Sequence, residues 1–468
     1  MKHTIICGHI LDILKKLPDE SVDTVITSPP YWGGLRDYGE ETCTIWDGDP
    51  ACKHEWVECS QKFSKPHHGV SSNTLKVASV TKDAENKSFS SGEFCNRCGA
   101  WRGQLGHEPS LNLYIEHLLE IMQEVKRVLK KTGVIFWNQG DTYASGGKSR
   151  MGGLGKSSYE YRKHAGRCRT NEIPSKSLCL QNERFIIRCV DELGFRLRDR
   201  IVWTKRLWIS KTNSTIGSSM PTSANDRCAF SYEPVYVLVK SPRYYWDQDA
   251  IRTPLKAATK ERVKYVFNPT KGDIQGAVKH TGAQHFAERV NQGELTGANR
   301  PNVWFINLEP SSLPHYAAFP TALVSSCLLA GCPRYVCKKC GRPRQRITDK
   351  NYLPTRPGLN TGKGKSGTDS DPNKSLHQRD ISRYRMQIQY KTLGWSDCGC
   401  NAGYDSGVVM DIFAGTGTVG VVAEQMGFNS IQIDLNKEYC EIAYQRLKPL
   451  VAQTKLGREP SVIERIGF

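Results

Sequence analysis

The stretch Val408-Val409-Met410-Asp411-Ile412-Phe413-Ala414-Gly415-Thr416-Gly417 decides the fold, because an apolar strand pattern runs directly into a glycine loop. Residues 417–426 continue with helical spacing, and the first amides of a helix can hold polar ligand groups. The next strand pattern ends at Asp434, whose carboxylate can accept hydrogen bonds from both hydroxyls of a ribose. We therefore predict a nucleoside-cofactor site, with a plain βα turn as the alternative. No Gly-Lys-Ser/Thr closes the loop, which excludes a P-loop.

A second loop of unusual chemistry, Thr27-Ser28-Pro29-Pro30-Tyr31-Trp32, follows the strand pattern of residues 22–26. Prolines have no backbone N–H, so this loop offers carbonyl acceptors together with one serine hydroxyl. Such a set can accept hydrogen bonds from an exocyclic amino group, and the tyrosine offers a flat face on which a base can stack. The alternative, given equal weight on these residues alone, is a proline-stiffened turn with a packed tyrosine.

Strand and helix patterns alternate at both ends of the chain, and they frame less regular segments. Residues 4–7 and 22–26 near the start, and 408–412 and 430–433 near the end, have strand character, with helical spacing between them. This alternation predicts an α/β fold with a doubly wound, mostly parallel sheet assembled from both halves of the chain. Residues 40–105 show no clear periodicity and are expected to be irregular.

Composition narrows the class of partner. Lys and Arg exceed Asp and Glu, giving a formal net charge of +18 over 468 residues, which favours a polyanion such as nucleic acid. No apolar run approaches the ~20 residues of a membrane span, and the start of the chain lacks the apolar core of a secretory signal. We expect a cytoplasmic protein, in a bacterial or phage-infected cell, with no membrane partner.

The 17 cysteines are odd in number, so reduced thiols are expected rather than a disulfide framework. Two Cys-x-x-Cys-Gly units each have a plausible partner pair across a long polar loop, which predicts two structural zinc sites. The candidate ligands are Cys52, His54, Cys95 and Cys98 at the first site, and Cys337, Cys340, Cys398 and Cys400 at the second. Scattered thiols are the alternative, and Cys43, Cys59 and Cys332 are rival ligands.

Taken together, the Ser-Pro-Pro-Tyr and Asp-x-Phe-x-Gly-x-Gly elements resemble the amino-group DNA methyltransferases, which use S-adenosylmethionine. The catalytic element precedes the cofactor element here, as in the circularly permuted beta group of that family. A His-x-Ala-x-Phe-Pro-like element also matches at residues 315–320. The resemblance implies that the cofactor is bound by Asp411, Phe413, Ala414, Gly415, Thr416, Gly417, Asp434, His315, Phe319 and Pro320.

The resemblance also implies a Rossmann-like methyltransferase fold and a reaction on a base flipped out of duplex DNA. The catalytic residues would be Ser28, Pro29, Pro30 and Tyr31, and Ser-Pro-Pro-Tyr favours cytosine N4 over adenine N6. Adenine N6 stays open as the first alternative. An inactive, zinc-containing nucleic-acid-binding protein is the second, because His9 stands where the family usually carries an aspartate near the cofactor's adenine.

The expected domain layout follows the order of the motifs. Residues 1–250 form the catalytic part with a zinc-knuckle insertion at about 43–105, and 251–300 form a target-recognition region. Residues 301–330 and 406–450 form the cofactor-binding part, 331–405 a second zinc-pinned insertion, and 451–468 a tail. Double-stranded DNA is the expected substrate, and a cognate restriction enzyme is a candidate partner.

Overall fold

The structure is a computed structural model. It describes residues 1–33, 42–58, 92–144, 173–174, 176–219, 222, 224–254, 297–309, 319–354, 386–453 and 461–467. The chain divides into two compact units. The first unit comprises Met1–Trp246, Pro301–Val336 and Tyr404–Phe468, and the second comprises Asp247–Arg300 and Cys337–Gly403.

Six α-helices are formed by the described residues. They are α1 (Ile10–Lys16), α2 (Leu111–Val128), α3 (Gln181–Asp191), α4 (Thr321–Gly331), α5 (Thr418–Met426) and α6 (Lys437–Ala452). No helix in this part of the chain has the length and apolar character that a membrane crossing requires.

The strands of the first half of the chain include four short ones in the first insertion. They are β1 (Lys2–Cys7), β2 (Val22–Thr27), β3 (Thr44–Trp46), β4 (Trp56–Glu58), β5 (Glu93–Cys95), β6 (Trp101–Gly103), β7 (Leu129–Asn138), β8 (Arg196–Thr204), β9 (Arg206–Ile209), β10 (Ser214–Gly217) and β11 (Tyr232–Val239). The remaining strands are β12 (Thr253–Pro254), β13 (Gly297–Ala298), β14 (Val303–Phe305), β15 (Val336–Cys337), β16 (Arg346–Pro354), β17 (Met386–Trp395), β18 (Tyr404–Asp405), β19 (Val408–Asp411), β20 (Asn429–Asp434) and β21 (Val462–Ile466).

A nine-stranded sheet in the order β14-β8-β11-β7-β2-β19-β20-β1-β21 is the centre of the first unit. Every neighbouring pair is parallel except the two pairs made by β11. The mostly parallel sheet predicted from the alternating pattern is therefore present, and both halves of the chain contribute to it. The segment of residues 451–468, interpreted as a tail from sequence, adds the edge strand β21 beside β1.

The sheet buries both faces, which is why its central strands are apolar at consecutive positions. Along β7, Ile135 and Trp137 join the core that contains α2 and α3. On the opposite face of the same strand, Phe136 lies against Gly331 of α4 so closely that a side chain at this glycine would meet the ring. Helices on both faces make the sheet doubly wound, as the sequence predicts.

The pairing of β2 with β19 joins the two ends of the chain. Met410 is in register with Val25, so both strands end at the same edge of the sheet. In open α/β sheets this carboxyl edge is where ligands bind. The two loops that the sequence singled out are thus neighbours, although nearly 400 residues separate them along the chain.

The expectation of an irregular first insertion is wrong for the residues the structure describes there. Strands β3 to β6 form a four-stranded antiparallel sheet in the order β3-β6-β5-β4. Each strand has only three residues, too few for an alternating pattern to be recognised in a sequence.

Candidate active site and metal centres

One cavity of about 350 Å³ opens at the carboxyl edge of the central sheet. The Ser28–Tyr31 loop and the glycine loop from Asp411 to Thr416 both line it, together with Asp434. Phe319 also contributes to the lining, and Pro320 directly precedes α4. His315, the remaining cofactor residue expected from the resemblance, lies outside the described residues. The structure therefore brings both predicted elements to a single cleft.

Backbone amides hold the carboxylate of Asp434 at the end of β20. The N–H of Gly415 donates to Oδ2 at 2.7 Å, and the N–H of Asn436 donates to Oδ1 at 2.9 Å. Burial raises the pKa of this carboxyl to about 6, despite these hydrogen bonds. Each oxygen retains a lone pair for a further donor, which is the capacity needed to accept ribose hydroxyls.

The glycine loop is anchored from α6. The Arg446 guanidinium donates to the carbonyl of Thr416 at 2.6 Å and to the hydroxyl of Thr418 at 3.2 Å. Gly417 packs directly on Ala443 of the same helix, where a side chain would clash. These contacts fix the backbone of the loop that lines the cavity.

A side-chain hydrogen bond connects strand β2 to strand β19. The hydroxyl of Thr27 donates to Oδ1 of Asp411 at 2.8 Å, and the N–H of Phe413 donates to the same oxygen at 3.1 Å. Burial raises the pKa of Asp411 to about 7, although both hydrogen bonds lower it. Asp411 thus fixes the distance between the two loops rather than facing solvent.

The Ser-Pro-Pro-Tyr loop presents acceptors of unequal availability. The hydroxyl of Tyr114 donates a hydrogen bond to the carbonyl of Pro30 at 2.7 Å, and it accepts one from Nε2 of Gln139 at 3.1 Å. The carbonyl of Pro29 accepts no hydrogen bond from any residue that the structure describes. The hydroxyl of Ser28 donates only weakly, at 3.4 Å, to the hydroxyl of Tyr31. Two acceptors of this loop therefore remain for a ligand.

Tyr31 is fixed by an acidic partner. Its hydroxyl donates to Oε2 of Glu233 at 3.2 Å, and Glu233 forms an ion pair with Lys205. Burial and the nearby Glu233 charge raise the pKa of Tyr31 well above its ordinary value, so the phenol stays protonated. Gly140 packs on the edge of the ring, where a side chain would press against it.

Sequence reasoning missed the supporting roles of Tyr114, Gln139, Lys205 and Glu233. Glu233 comes at the start of β11, whose antiparallel direction brings that start to the carboxyl edge of the parallel strands. A charged residue just before the apolar run of residues 235–239 was the available signal. Tyr114 and Gln139 gave no comparable signal, because Tyr114 bonds a backbone carbonyl and Gln139 acts only through Tyr114.

His9, where the resemblance leads to the expectation of a carboxylate, lines the cavity. Its ring meets Trp46 edge-on, with ring centroids 4.9 Å apart. Burial lowers its pKa, so the imidazole is neutral near pH 7. The Nε2 atom is buried and has no hydrogen-bond partner among the described residues.

The first cysteine cluster has the dimensions of a tetrahedral metal site. The ligand atoms of Cys52, His54, Cys95 and Cys98 lie within 4.8 Å of one another. The sulfurs of Cys52 and Cys95 are 3.9 Å apart, close to the ~3.8 Å that Zn–S bonds of about 2.3 Å give in a tetrahedron. Burial raises the pKa of Cys95, but backbone hydrogen bonds bring it down to about 5, whereas burial and the two neighbouring thiols raise the pKa of Cys52. The cluster therefore favours a thiolate at Cys95, and a bound cation would favour the others.

The second cluster repeats this arrangement in the second unit. The sulfurs of Cys337, Cys340, Cys398 and Cys400 lie within 4.8 Å of one another. A backbone hydrogen bond from Cys340 lowers the pKa of Cys337 to about 6. Both predicted ligand sets are therefore brought together, and three or four soft sulfur ligands per site suit zinc.

Known proteins share the sequence features of this cleft. A family model described as DNA methylase, covering N6- and N4-directed enzymes, matches residues 22–334 and 401–445, about three quarters of the chain. The chain belongs to this amino-group DNA methyltransferase family.

Two relatives extend over nearly the whole chain. The type II methyltransferase M.SmaI of Serratia marcescens is 23% identical over 449 residues, covering 95% of this chain and 90% of the relative. The type II methyltransferase M.Cfr9I of Citrobacter freundii is 25% identical over 446 residues, covering 95% of this chain and 87% of the relative. Among solved structures, the cytosine-N4-specific PvuII DNA methyltransferase aligns with a TM-score of 0.42 and 14% identity, covering 95% of this chain and 87% of that one.

An exposed hairpin extends from the edge of the sheet that carries the cavity. Strand β8 runs in the same direction as β7, because both are antiparallel to β11. The β9–β10 hairpin that follows β8 therefore leaves at the carboxyl edge. It exposes 65% of Trp208 and 43% of Ile216, and Lys211 at its tip is also exposed. The chain thus presents an aromatic and basic projection at the edge of the sheet where the cavity opens.

Proposed function

We propose that this chain transfers a methyl group from S-adenosylmethionine to the exocyclic N4 of cytosine in duplex DNA, at a specific sequence. One observation carries the proposal: the Ser28–Tyr31 loop and the Asp411–Thr416 loop line the same cavity and are joined by the bond between Thr27 and Asp411. A reaction between a bound nucleoside cofactor and an extruded base needs both elements in one cleft.

The residues of the cavity fit the cofactor. Asp434, fixed by two amides, would accept the ribose hydroxyls, and the glycine loop anchored by Arg446 lets the ligand lie against the backbone. Phe319 would add an apolar wall. When bound, S-adenosylmethionine supplies a methyl group made electrophilic by its sulfonium sulfur.

The target amine is a poor nucleophile, because its lone pair is delocalised into the ring of the base. The hydroxyl of Ser28 and the carbonyl of Pro29 would accept hydrogen bonds from the two N–H groups of this amine. These hydrogen bonds would localise the lone pair on the nitrogen and orient it toward the methyl group. Tyr31, held by Glu233, would stack on the flipped base. Transfer is direct, and no Pro-Cys nucleophile of the cytosine-C5 type occurs in the sequence. The N4 preference rests on the Ser-Pro-Pro-Tyr resemblance.

The proposed domain layout rests on the order of the motifs and on the two ligand clusters. The order of the two motifs supports a circularly permuted domain, with residues 1–250 as the catalytic part and 301–330 and 406–450 as the cofactor-binding part. Residues 251–300 would read the target sequence. The two four-ligand clusters would each hold one structural zinc ion that pins the base of an insertion.

Duplex DNA is the proposed substrate. The net charge of +18 and the exposed Trp208 hairpin at the catalytic edge support contacts with phosphates and bases. Relatives named type II methyltransferases support a pairing with a restriction enzyme in the bacterial cytoplasm.

The proposal is tested by incubating the protein with labelled S-adenosylmethionine and mixed-sequence duplex DNA, followed by nucleoside analysis. We expect label in 4-methylcytosine. Label in 6-methyladenine would replace the N4 assignment with adenine N6. Absence of both methyl transfer and cofactor binding would instead favour an inactive nucleic-acid-binding protein.

The role of Ser28 is tested with Ser28→Ala. Turnover should fall at least about 100-fold while cofactor affinity stays within about twofold, since the hydroxyl acts on the base rather than the cofactor. Ser21→Ala is the matched control, because Ser21 is near in sequence and its hydroxyl donates to the Pro18 carbonyl. Full turnover by Ser28→Ala would refute the assigned role.

A further inference from the structure

Residues of the first insertion and its flanks form part of the wall of the cavity. Thr44 and Trp46 of β3, with Gln104 and Leu105 after β6, line it together with Gly8 and His9. None of the motifs that predict the cofactor site includes these insertion residues. The insertion is thus part of the pocket and not only a surface loop.

Trp46 is the link between the cavity and the interior of the insertion. It is 3% exposed and lies edge-on to His9 at one side. At the other side it stacks on His117 of α2, with centroids 4.6 Å apart, and Trp101 of β6 stacks on the same imidazole at 5.4 Å. Trp46 and Trp101 are register partners across β3 and β6.

The same small sheet is fastened to the first ligand cluster. The N–H of Cys95 donates to the carbonyl of Ala100, the residue before Trp101, at 2.8 Å. On the β3 side, Gly48 lies so close to Ala100 that a side chain would clash with it, and the same side chain would press on the sulfur of Cys98. A continuous run of contacts therefore leads from the ligand cysteines through two tryptophans to the wall of the cavity.

The small sheet of the insertion is held at one side by the packing of Trp46 and Trp101 on His117. Its described strands have three residues each, so backbone pairing adds little order to the rest of this sheet. A metal ion bound by four side chains from both ends of the insertion would supply that order. Without the ion, ordering the wall would become an additional free-energy cost of binding any ligand in the cavity.

We propose that a zinc ion at Cys52, His54, Cys95 and Cys98 holds Trp46 and Thr44 in place as a wall of the cofactor cavity, so that cofactor affinity depends on this ion. The inference rests on the proposed function of the cavity. By thermodynamic linkage, bound cofactor must also raise the affinity of this site for zinc by the same factor.

The second cluster provides a matched control. The residues that line the cavity, within the part of the chain the structure describes, all belong to the first unit. Cys98→Ser and Cys400→Ser each remove one cysteine ligand from one cluster. Zinc content and calorimetric binding of S-adenosylhomocysteine, the demethylated product of the cofactor, are measured for the full-length wild type and both variants.

We expect each variant to lose about one zinc ion per chain. Cys98→Ser should weaken S-adenosylhomocysteine binding at least about tenfold, whereas Cys400→Ser should stay within about twofold of wild type. Equal affinity in all three proteins, with the first zinc gone from Cys98→Ser, overturns the inference and leaves the proposed function intact. A zinc-loaded wild type that does not bind the product overturns both.

A second measurement covers the case in which Cys98→Ser does not fold. The Cys400→Ser protein, which keeps only the first ion, is titrated with a chelator while zinc content, far-ultraviolet circular dichroism and product binding are followed. Affinity should fall in step with zinc loss, with most of the secondary structure retained, and return when zinc is added back. Affinity unchanged after zinc removal contradicts the proposal.

Discussion

The two cysteine hairpins have nearly the same backbone but different surroundings. In the first, the N–H of Gly99 donates to the Cys95 carbonyl at 2.9 Å, and in the second the N–H of Gly341 donates to the Cys337 carbonyl, also at 2.9 Å. The hairpins close with equivalent bonds, from Cys95 to the Ala100 carbonyl at 2.8 Å and from Cys337 to the Arg342 carbonyl at 3.0 Å. Local sequence therefore determines the hairpin.

The two cysteine hairpins differ in the residues that pack against them. The first hairpin backs onto the buried Trp46–His117–Trp101 stack, whereas Arg344 beside the second donates to the backbone carbonyls of Trp395 and Ser396. The first hairpin is thus continuous with a packed core, and the second joins the two strands of a ribbon. The same short motif can support a binding site or close a loop, depending on what packs behind it.

The largest expected difference concerns glycines beside the two clusters. Gly48, at φ +81°, has the Ala100 side chain in the space that its own Cβ would occupy, while Gly341, at φ +67°, has no atom within 4 Å of that position. Gly48→Ala should lower the free energy of unfolding by about 3 kcal/mol, from backbone strain plus overpacking. Gly341→Ala should lower it by about 1 kcal/mol, from strain alone.

Urea-induced unfolding of both variants, each with measured zinc content, checks this pair. Equal destabilisation would mean that the packing behind the first hairpin is no tighter than that behind the second.

A smaller effect depends on pH. Burial by itself lowers the pKa of His117, but hydrogen bonds from its ring to Asp47 and Glu108 raise it to about 9. A histidine whose pKa is raised in the folded state stabilises that state. This stabilisation is complete below pH 6.5, the pKa in the unfolded chain, and it is lost as the pH rises through about 9, the pKa in the folded protein. We expect a loss on the order of 2–3 kcal/mol between about pH 6.5 and 9.5.

The free energy of unfolding is measured in urea across this pH range for the wild type and for His117→Gln. The variant serves as the control, because it should lose most of the dependence of this free energy on pH. The described residues of the second unit contain no histidine, so no equivalent pH-dependent contact is described beside the second hairpin. An unchanged slope in His117→Gln would show that another group titrates.

The smallest effect on stability is expected from side chains at the exposed tips of the two cysteine hairpins. Arg97 forms an ion pair with Glu55, but both side chains are more than half exposed, so solvent screens the pair. Lys339 occupies the equivalent position of the second hairpin. Arg97→Ala and Lys339→Ala should each change the melting temperature by less than about 2 °C and leave the zinc content unchanged. A large loss of zinc in Arg97→Ala alone would give the tip of the first hairpin a structural role not expected from its exposure.

Much of the candidate site could be predicted from local patterns. The glycine loop, Asp434 and the Ser-Pro-Pro-Tyr loop each carry their chemistry within a few residues, and the structure brings them to one cavity. The clustering of both ligand sets also followed from Cys-x-x-Cys spacing, although only metal analysis tests the ion itself. Glu233 and Trp46 were missed, because each acts through partners distant in sequence.

The sequence by itself determined the doubly wound sheet, since hydrophobic periodicity and glycine or proline breaks are local properties of the chain. It also predicted site residues that line the shared cavity; the exceptions are Gly417 and Pro320, which do not line it, and His315, which lies outside the described residues. Only the tertiary structure decided that β2 and β19 lie side by side, that Glu233 fixes Tyr31, and that β3 forms a wall of the cavity. The physical reason is that these contacts come from packing between distant segments, which no short-range pattern encodes.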